Sequence, residues 1–240
     1  MRSNLPKVLV CCPTSIDKDY CFVDWIENVS NFTYPNFSVF LADNSRGGGY
    51  SKAIKKYVKD NYVMDFNCKH LEYEGNRPNL MQRIADSHEL CRVTAKKGKF
   101  DYILHLESDV FPEHSVIEKL LWHNKDVVGS LYYTSFGNDR KLVVQELIPL
   151  TPNPEDIVSI NLEPYEDLRF IDGSVKQVGH VGLGCVLISA NVLHGVHFRV
   201  DKNYPNHSAD SFFANDCYDK GIKIYADTSL IAKHENKKWS

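Results

Sequence analysis

Two carboxylates separated by one residue, Glu107 and Asp109, follow directly after the short and mostly apolar run Tyr102–Leu106. Such a run is typical of a buried strand in a parallel sheet, and Pro112 prevents it from continuing as a central strand. Open α/β sheets bind ligands at the carboxyl ends of their strands. Carboxylate oxygens suit Mg²⁺ or Mn²⁺, which usually share their coordination with substrate phosphates. The stretch predicts a metal and phosphate site, and a solvated acidic turn is the alternative.

Two further acidic residues and a histidine stand at boundaries of predicted elements. Asp43 follows the predicted strand Phe37–Leu41, and it either contacts a ligand or starts a turn. Asp210 opens a predicted helix, where a carboxylate serves as a general base or only as an N-cap. His234 follows the last predicted strand, and it is either a metal ligand or an ordinary histidine of the tail.

The elements that must position these residues alternate between strands and helices, which predicts an α/β fold. Strands are predicted at Lys7–Cys12, Phe37–Leu41, Asn67–Glu72, Tyr102–Leu106, Asp126–Leu131, within Val178–Ser189 and at Ile222–Ala226. Helices are predicted at Asp24–Val29, Lys52–Val63, from Asn79 as N-cap to Gly98, at Ser115–Trp122, from Asn191 and from Asp210 to Gly221.

Two segments of the second half bear on substrate binding. Tyr132, Tyr133 and Phe136 form an aromatic cluster after a predicted strand, which could stack on a sugar or cap the core. The polar and acidic segment Thr151–Arg169 has no strong periodicity, and we interpret it as an insertion that shapes the acceptor site.

Composition narrows the function classes. With 240 residues, 43% of them hydrophobic and 25% charged, the chain predicts one α/β domain with a substantial core. The formal charge of −3 does not favour nucleic acid as a partner. Seven cysteines without CxxC spacing favour a reducing compartment over a disulfide framework. No signal region and no apolar stretch of membrane-spanning length is evident, so we expect a cytoplasmic protein without a membrane span.

The order of these motifs resembles the glycosyltransferase 2 family of GT-A enzymes. Glu107-Ser108-Asp109 resembles the DxD motif of that fold, which holds the diphosphate of a nucleotide-sugar through a metal. In the last third, Gly221 follows Asp210 by eleven positions, and His234 follows Asp227 by seven, as in the family. The resemblance covers Val8 to His234 as motifs in the right order.

Two positions depart from the family pattern. Ala209 stands where a second acid is usual beside the helix-opening Asp210, and Asp216 stands where a basic residue is common. Both departures leave the details of acceptor activation open.

The resemblance implies a GT-A fold, a three-layer sandwich with a mostly parallel central sheet and helices on both faces. It implies a single domain over residues 1–240, in which residues 1–110 bind the nucleotide and residues 111–240 carry the acceptor and catalytic half. The implied activity is metal-dependent transfer of a sugar from a nucleoside-diphosphate sugar, most simply a UDP-sugar, to a hydroxyl of a carbohydrate or other acceptor. One base acting opposite the leaving group implies inversion.

Roles for individual residues follow from the same resemblance. Asp210 is the implied general base, and Asp109 and His234 are the implied ligands of Mn²⁺ or Mg²⁺. The implied donor-binding residues are Thr14, Asp43, Asn79, Arg83, Glu107, Ser108, Gly182 and Gly184. For the glycines, a role in packing is the alternative to lining the donor pocket.

Three other functions remain open at this stage. A metal-dependent nucleotidyltransferase is disfavoured because no glycine-rich loop follows the first strand. A non-catalytic sugar-binding module is disfavoured because the acidic set is intact. A viral glycosyltransferase that modifies DNA bases fits the small size of the chain, although the acidic pI of about 6.4 weighs against it.

Overall fold

The structure is a computed structural model, and it describes residues 5–136, 139–147, 159–161, 167–204 and 207–235. The strands are β1 (Val8–Thr14), β2 (Phe37–Asp43), β3 (Phe66–His70), β4 (Tyr102–Leu106), β5 (Val110–Phe111), β6 (Val127–Phe136), β7 (Asp139–Leu142), β8 (Val144–Leu147), β9 (Ser159–Asn161), β10 (Val175–Val178), β11 (His180–Val181), β12 (Cys185–Ser189) and β13 (Ile224–His234). The α-helices are α1 (Asp19–Ser30), α2 (Gly49–Asn61), α3 (Leu80–Lys97), α4 (Val116–Trp122), α5 (Asp167–Phe170), α6 (Ala190–Gly195) and α7 (Ala209–Asp219).

A ten-stranded sheet organises the chain. Its main path runs β10-β13-β6-β12-β4-β1-β2-β3, with β5 beside β13 and β7 beside β6. Strands β3, β2, β1 and β4 are parallel neighbours, and β6 and β13 form another parallel pair. Only β12 and β10 run against the others along this path. The predicted mostly parallel sheet is confirmed, and β11, β8 and β9 form a separate small sheet.

Helices cover both faces because the buried strands are apolar on both sides. In β1, Val8, Val10 and Cys12 face one core, which also contains Trp25 of α1. Leu9 and Cys11 face the opposite core, which includes Cys91 of α3, Leu193 of α6 and Phe213 of α7. The three-layer α/β arrangement expected from the sequence is therefore present.

Two strands extend further than the sequence pattern indicated. The strand predicted at Asp126–Leu131 continues to Phe136, because its second half pairs antiparallel with β7. Tyr132 and Tyr133 consequently lie within β6 rather than after a strand. The strand predicted at Ile222–Ala226 continues to His234, because after a register shift its second half pairs with β6 and then with β5.

Helix boundaries were predicted well where local chemistry fixes them. The Asn79 side chain accepts a hydrogen bond from the amide of Gln82 at 2.9 Å, which confirms it as the N-cap of α3. Gly221 follows α7 with φ of +68°, a conformation that glycine adopts without strain. The N-cap position of α7 belongs to Ser208, and Asp210 lies within the first turn of that helix. The alternative that Asp210 is only an N-cap is therefore wrong.

Candidate active site

The carboxyl end of β4 turns sharply at the acidic motif. The amide of Glu107 donates to the carbonyl of Gly184 at 2.9 Å, and the amide of Val110 donates back to the carbonyl of Glu107 at 3.1 Å. This turn buries Ser108 and Asp109, which are only 4% and 2% exposed. The motif is thus held by backbone hydrogen bonds at the carboxyl end of β4.

Strand pairing brings His234 to this turn from more than a hundred residues away. The two-residue strand β5 begins immediately after Asp109, and it pairs antiparallel with the end of β13, with His234 opposite Val110. The amide of Glu235 donates to the carbonyl of Asp109 at 2.8 Å, which holds the two segments together. This geometry places His234 beside Asp109, and metal binding by the two residues stays a prediction.

The tautomer of His234 is set by its other nitrogen. Nδ1 lies 2.8 Å from the carbonyl oxygen of Tyr133, and since a carbonyl only accepts, Nδ1 carries the proton that is donated. Nε2 then faces Oδ2 of Asp109 at 3.5 Å. A backbone carbonyl that orients an imidazole in this way is typical of histidines that bind metals.

Glu107, Asp109 and His234 together fit a divalent cation. Each offers one ligand atom, and these atoms all lie within 4.8 Å of one another. Two carboxylate oxygens and one imidazole nitrogen suit Mn²⁺, and the carboxylates also suit Mg²⁺. Among the described residues this is the one group of three or more such side chains with that spacing.

The two carboxylates of the motif differ in their ionisation. Burial raises the pKa of Glu107 to about 7, and the charges of Asp109 and Asp210 act in the same direction. Burial also raises the pKa of Asp109, but the hydrogen bond from His234 and the charge of Lys18 outweigh it and leave that pKa below its usual value. Asp109 is therefore the more firmly ionised of the two.

Lys18 forms an ion pair with Asp109, which the sequence analysis missed. Its Nζ donates to Oδ2 of Asp109, the same oxygen that faces His234. Lys18 ends the short 3₁₀ turn Ile16–Lys18, which lies between β1 and α1. The signal available in the sequence was a basic residue in the loop after the first strand, four positions beyond Thr14.

Tyr132 contacts His234 and Gly184, and its position explains why residues 182 and 184 are glycines. Its hydroxyl accepts a hydrogen bond from the amide of Gly184 at 3.1 Å, and its ring packs edge-to-face with His234 at 5.4 Å. A Cβ on Gly182 or Gly184 would come within 2.1 or 2.5 Å of the Tyr132 side chain. The alternative of a packing role thus has a direct structural reason, and donor contacts by these glycines stay a prediction.

Asp210 lies close enough for its charge to raise the pKa of both Glu107 and Tyr132. Burial raises its own pKa, but the nearby His180, the Ser208 hydroxyl and His88 outweigh burial and lower it. Asp210 therefore favours the ionised form that a base requires.

The surroundings of Asp210 separate it from the other acid of its helix. His180, a second residue that the sequence analysis missed, has two buried ring nitrogens without a hydrogen-bond partner in the described part of the chain. Asp216, further along α7, instead forms an ion pair with Arg199 at 2.6 Å. Asp210 is thus close to the acidic motif, whereas Asp216 is paired with a surface arginine. A role of Asp210 as the base stays a prediction.

The remaining predicted donor residues lie at the ends of β1, β2 and the start of α3. Thr14 is buried, and its carbonyl accepts from the amide of Asn44 at 2.9 Å. Asp43 is fully buried, and its two oxygens accept from the amides of Ser45 and Ser51 at 2.9 and 3.0 Å. These side chains have partners within the chain, and contacts with a nucleotide stay a prediction.

Arginines mark the start of α3. Arg83 donates to the carbonyl of Pro78 at 3.0 Å, and burial together with the charge of Arg77 lowers its pKa. Arg77, which was not predicted, donates to the carbonyl of Asn44 at the end of β2. The structure thus places positive charge beside the carboxyl ends of the first strands, where an anionic ligand would be attracted.

Two clefts lie elsewhere on the described part of the chain. A cleft of about 700 Å³ is lined by Asp101, Lys125, Asp126 and Ser189, at the opposite ends of the strands, and another of about 510 Å³ is lined by Tyr34 and Tyr62 among others. Neither contains a cluster of potential metal ligands. Among the described residues, no helix has both the length and the apolar character that crossing a membrane requires.

Comparison with solved structures identifies the architecture. A crystal structure of GalNAc-T7 with UDP, GalNAc and Mn²⁺ superimposes with a TM-score of 0.65 at 13% identity, over 97% of this chain and 44% of that one. A crystal structure of S. aureus TarS 1-349 in complex with UDP-GlcNAc gives a TM-score of 0.55 at 14% identity, over 96% of this chain and 59% of that one. The predicted GT-A fold is confirmed.

A197 from STIV is a neighbour of more similar length, with a TM-score of 0.53 at 14% identity, and the alignment covers 95% of this chain and 85% of that one. The present chain therefore spans less than half of the GalNAc-T7 chain but most of the length of A197. No protein-family model and no curated protein matches the sequence.

Proposed function

We propose that the chain is a metal-dependent glycosyltransferase that moves a sugar from a nucleoside-diphosphate sugar to an acceptor hydroxyl. The observation that carries this proposal is the convergence of Glu107, Asp109 and His234 at the carboxyl end of β4, with ligand atoms within 4.8 Å of one another. Solved structures of the same fold include complexes with UDP and Mn²⁺ and with UDP-GlcNAc, which makes a UDP-sugar the first donor to test.

In this proposal the first half of the chain, residues 1–110, holds the nucleotide. Thr14, Asp43, Asn79 and Arg83 lie along the edge formed by β1, β2 and α3. Gly182 and Gly184 lie just before β12, and the carbonyl of Gly184 accepts the amide of Glu107. Ser108 lies between the two carboxylates of the motif, and we expect it to contact the donor. Arg77 and Arg83 supply positive charge toward the phosphates of the donor.

Asp109 and His234 would hold Mn²⁺ or Mg²⁺, with Glu107 completing the protein ligands. A bound divalent cation stabilises the charge that develops on a departing diphosphate, an effect of several kcal/mol. The chain's own contribution is to aim Nε2 of His234 by fixing Nδ1 on the carbonyl of Tyr133. Asp109, firmly ionised, provides the negative charge that the cation requires.

Asp210 would accept the proton of the acceptor hydroxyl as the new glycosidic bond forms, leaving the nucleoside diphosphate as the product. Its lowered pKa keeps it ionised and ready to accept. One base on the face opposite the leaving group implies inversion at the anomeric carbon. The acceptor would be a carbohydrate or another hydroxyl compound, and the formal charge of −3 makes nucleic acid a less favoured acceptor.

We also propose that the protein works in the cytoplasm, since its seven cysteines are all buried and free in the structure. Free thiols are stable in a reducing compartment.

The test is a screen for release of nucleoside diphosphate from a panel of nucleotide-sugars, with Mn²⁺, with Mg²⁺ and with EDTA. We expect release from at least one donor, and only with metal. Asp210→Asn should slow transfer by at least about a hundredfold while donor binding and melting temperature stay close to those of the parent. No release from any nucleotide-sugar, together with no binding of UDP, would contradict the proposal.

Asp216→Asn is the matched control, because it makes the same chemical change on the same helix at a residue that is paired with Arg199. It should transfer sugar at a rate near that of the parent. Near-parental activity of Asp210→Asn would show that Asp210 is not the base.

A further inference from the structure

The ammonium of Lys18 lies where a cation bound by the acidic motif would lie. Its Nζ donates to Oδ2 of Asp109, and Nε2 of His234 approaches that same oxygen at 3.5 Å. One carboxylate oxygen thus contacts both a lysine and a histidine side chain. The positive charges of Lys18 and His234 also lower the pKa of Glu107, against the larger effect of burial.

The loop that carries Lys18 is fastened to the nucleotide half of the fold. The amide of Ile16 donates to Oγ of Ser45 at 2.7 Å, and Sγ of Cys21 donates to the carbonyl of Lys18 at 3.1 Å. These bonds hold the backbone, whereas the lysine side chain has several rotatable bonds and is 27% exposed. The ammonium can therefore move while its backbone stays in place.

A divalent cation and this ammonium compete for the same oxygen. A ligand atom that already makes a charge-assisted hydrogen bond must release it before it coordinates a metal, and the bond therefore lowers the apparent metal affinity. Two positive charges at one carboxylate also repel each other. Lys18 must consequently leave Oδ2 of Asp109 when a metal binds that oxygen.

We propose that Lys18 is a resident counter-cation, which neutralises the acidic motif in the metal-free protein and is displaced by the divalent cation toward the diphosphate of the donor. The proposal rests on the function proposed above. Lys18 weakens binding of metal alone and strengthens binding of a nucleoside diphosphate once metal is present, because the released ammonium gains an anionic partner. Metal and nucleotide therefore bind with positive coupling that depends on this one side chain.

The alternative is that Lys18 and Asp109 form an ordinary structural ion pair. Removing one partner of a buried ion pair destabilises a protein, because it leaves the other charge unpaired. Metal would then have no reason to bind more tightly to a variant that lacks the lysine. The two roles differ in the sign of the effect on metal affinity.

The experiment is calorimetric titration of Mn²⁺ into the full chain, without and with UDP, for the parent and Lys18→Met. Methionine keeps an unbranched side chain and removes the charge. We expect Lys18→Met to bind Mn²⁺ alone about ten- to a hundredfold more tightly, the range that one charge-assisted hydrogen bond supplies. UDP should increase the Mn²⁺ affinity of the parent by at least about tenfold more than that of the variant.

Lys56→Met is the matched control, since it removes the same charge at an exposed pair with Asp60 on α2. Its Mn²⁺ affinity should equal that of the parent, which separates a local effect from a change in net charge. If Lys18→Met folds poorly, Lys18→Gln replaces it, with the same expectation.

Equal or weaker Mn²⁺ binding by the Lys18 variant would overturn the proposal while leaving the metal site intact. Binding of Mn²⁺ by Lys18→Met but not by the parent would be the extreme form of the expected result. No Mn²⁺ binding by either protein would overturn both the counter-cation and the metal site. UDP titrated without metal would then tell whether the nucleotide site still stands.

Discussion

Asp43 and Asp109 stand at corresponding places in the fold but have different kinds of partners. Asp43 is the last residue of β2 and Asp109 follows β4, both of them parallel strands that end at the carboxyl edge of the sheet, and each side chain is almost fully buried. Both oxygens of Asp43 accept backbone amides, from Ser45 and Ser51, and the side chain of His70 lies beside them, with its Nδ1 3.4 Å from Oδ2. Oδ2 of Asp109 instead faces the side chains of Lys18 and His234.

The difference indicates which carboxylate can exchange its partners. Backbone amides are fixed by the fold, so Asp43 cannot give them up without local unfolding, and the bonds that it makes stabilise the loop after β2. Side-chain cations can move away or lose a proton, and a metal ion can then take their place. Burial alone therefore does not tell which of two acids can exchange its partners for a metal ion, whereas the nature of those partners does.

Replacement of Asp109 should have the largest effect. Asp109→Asn should abolish metal-dependent binding of UDP, because it removes the firmly ionised ligand of the cation site. The melting temperature of the metal-free protein should stay within a few degrees of that of the parent, since the Lys18 side chain that loses its partner is partly exposed. Calorimetry with UDP and Mn²⁺ provides the measurement. If Asp109→Asn binds UDP with metal as tightly as the parent does, Asp109 is not a ligand of the cation and the proposed metal site is wrong.

Replacement of His234 should weaken metal binding less and should also change its pH dependence. Burial lowers the pKa of His234, but the hydrogen bond and charge of Asp109 outweigh it and raise the pKa above 6.5. Only neutral imidazole coordinates a metal, so Mn²⁺ affinity should fall as the pH drops through this raised pKa, by up to about tenfold per pH unit for the one proton. His234→Ala should bind Mn²⁺ at least about tenfold more weakly and lose this contribution.

The stability of the metal-free protein should respond to pH in the opposite direction. Because the folded pKa of His234 is raised, its charged pair with Asp109 stabilises the fold fully below the unfolded pKa near 6.5. That stabilisation is lost as the pH rises through the folded pKa. Denaturant unfolding between pH 6 and 8 checks the sign of this effect. If the pH dependence of Mn²⁺ affinity and that of stability are both unchanged in His234→Ala, His234 is an ordinary histidine of the tail and not a metal ligand.

Replacement of Asp43 should affect stability rather than metal binding. Asparagine keeps one acceptor oxygen, so Asp43→Asn leaves one of the two buried amides without its partner and should cost about 1–3 kcal/mol in the free energy of unfolding. Mn²⁺ affinity should stay at the parental value. Weaker UDP binding by Asp43→Asn would support the nucleotide contact proposed above, whereas unchanged stability would contradict the structural part of the contrast with Asp109.

Replacement of Asn79 should have the smallest effect. It tests whether this predicted donor-binding residue stabilises the fold or contacts the nucleotide. Its side chain already accepts the amide of Gln82, so Asn79→Ala should cost about 1 kcal/mol of stability through loss of the cap. Asn79→Ser caps about as well and should restore stability. Weaker UDP binding by Asn79→Ser at full stability would show that the amide group contacts the nucleotide.

Much of the local structure of this protein could be predicted from the sequence. The apolar run Tyr102–Leu106 and its acidic ending predicted β4 and the turn after it, because both depend on residues that are adjacent in the chain. Asn79 and Gly221 marked the ends of helices, since caps also act locally. The candidate metal ligands were identified from the order and spacing of the motifs along the chain, which support the resemblance to the glycosyltransferase 2 family.

Tertiary structure alone decided which partners these residues meet. The pairing of β13 with β5 puts His234 beside Asp109, and no local pattern encodes contacts between segments so far apart in the chain. The same applies to Lys18, whose loop reaches the acidic motif only because β1 and β4 are neighbours in the sheet. Tyr132 shows the principle most plainly: its place inside a strand longer than predicted gives Gly182 and Gly184 a reason to lack side chains. Residue type determined the available chemistry, and the long-range strand pairing decided which groups could act together.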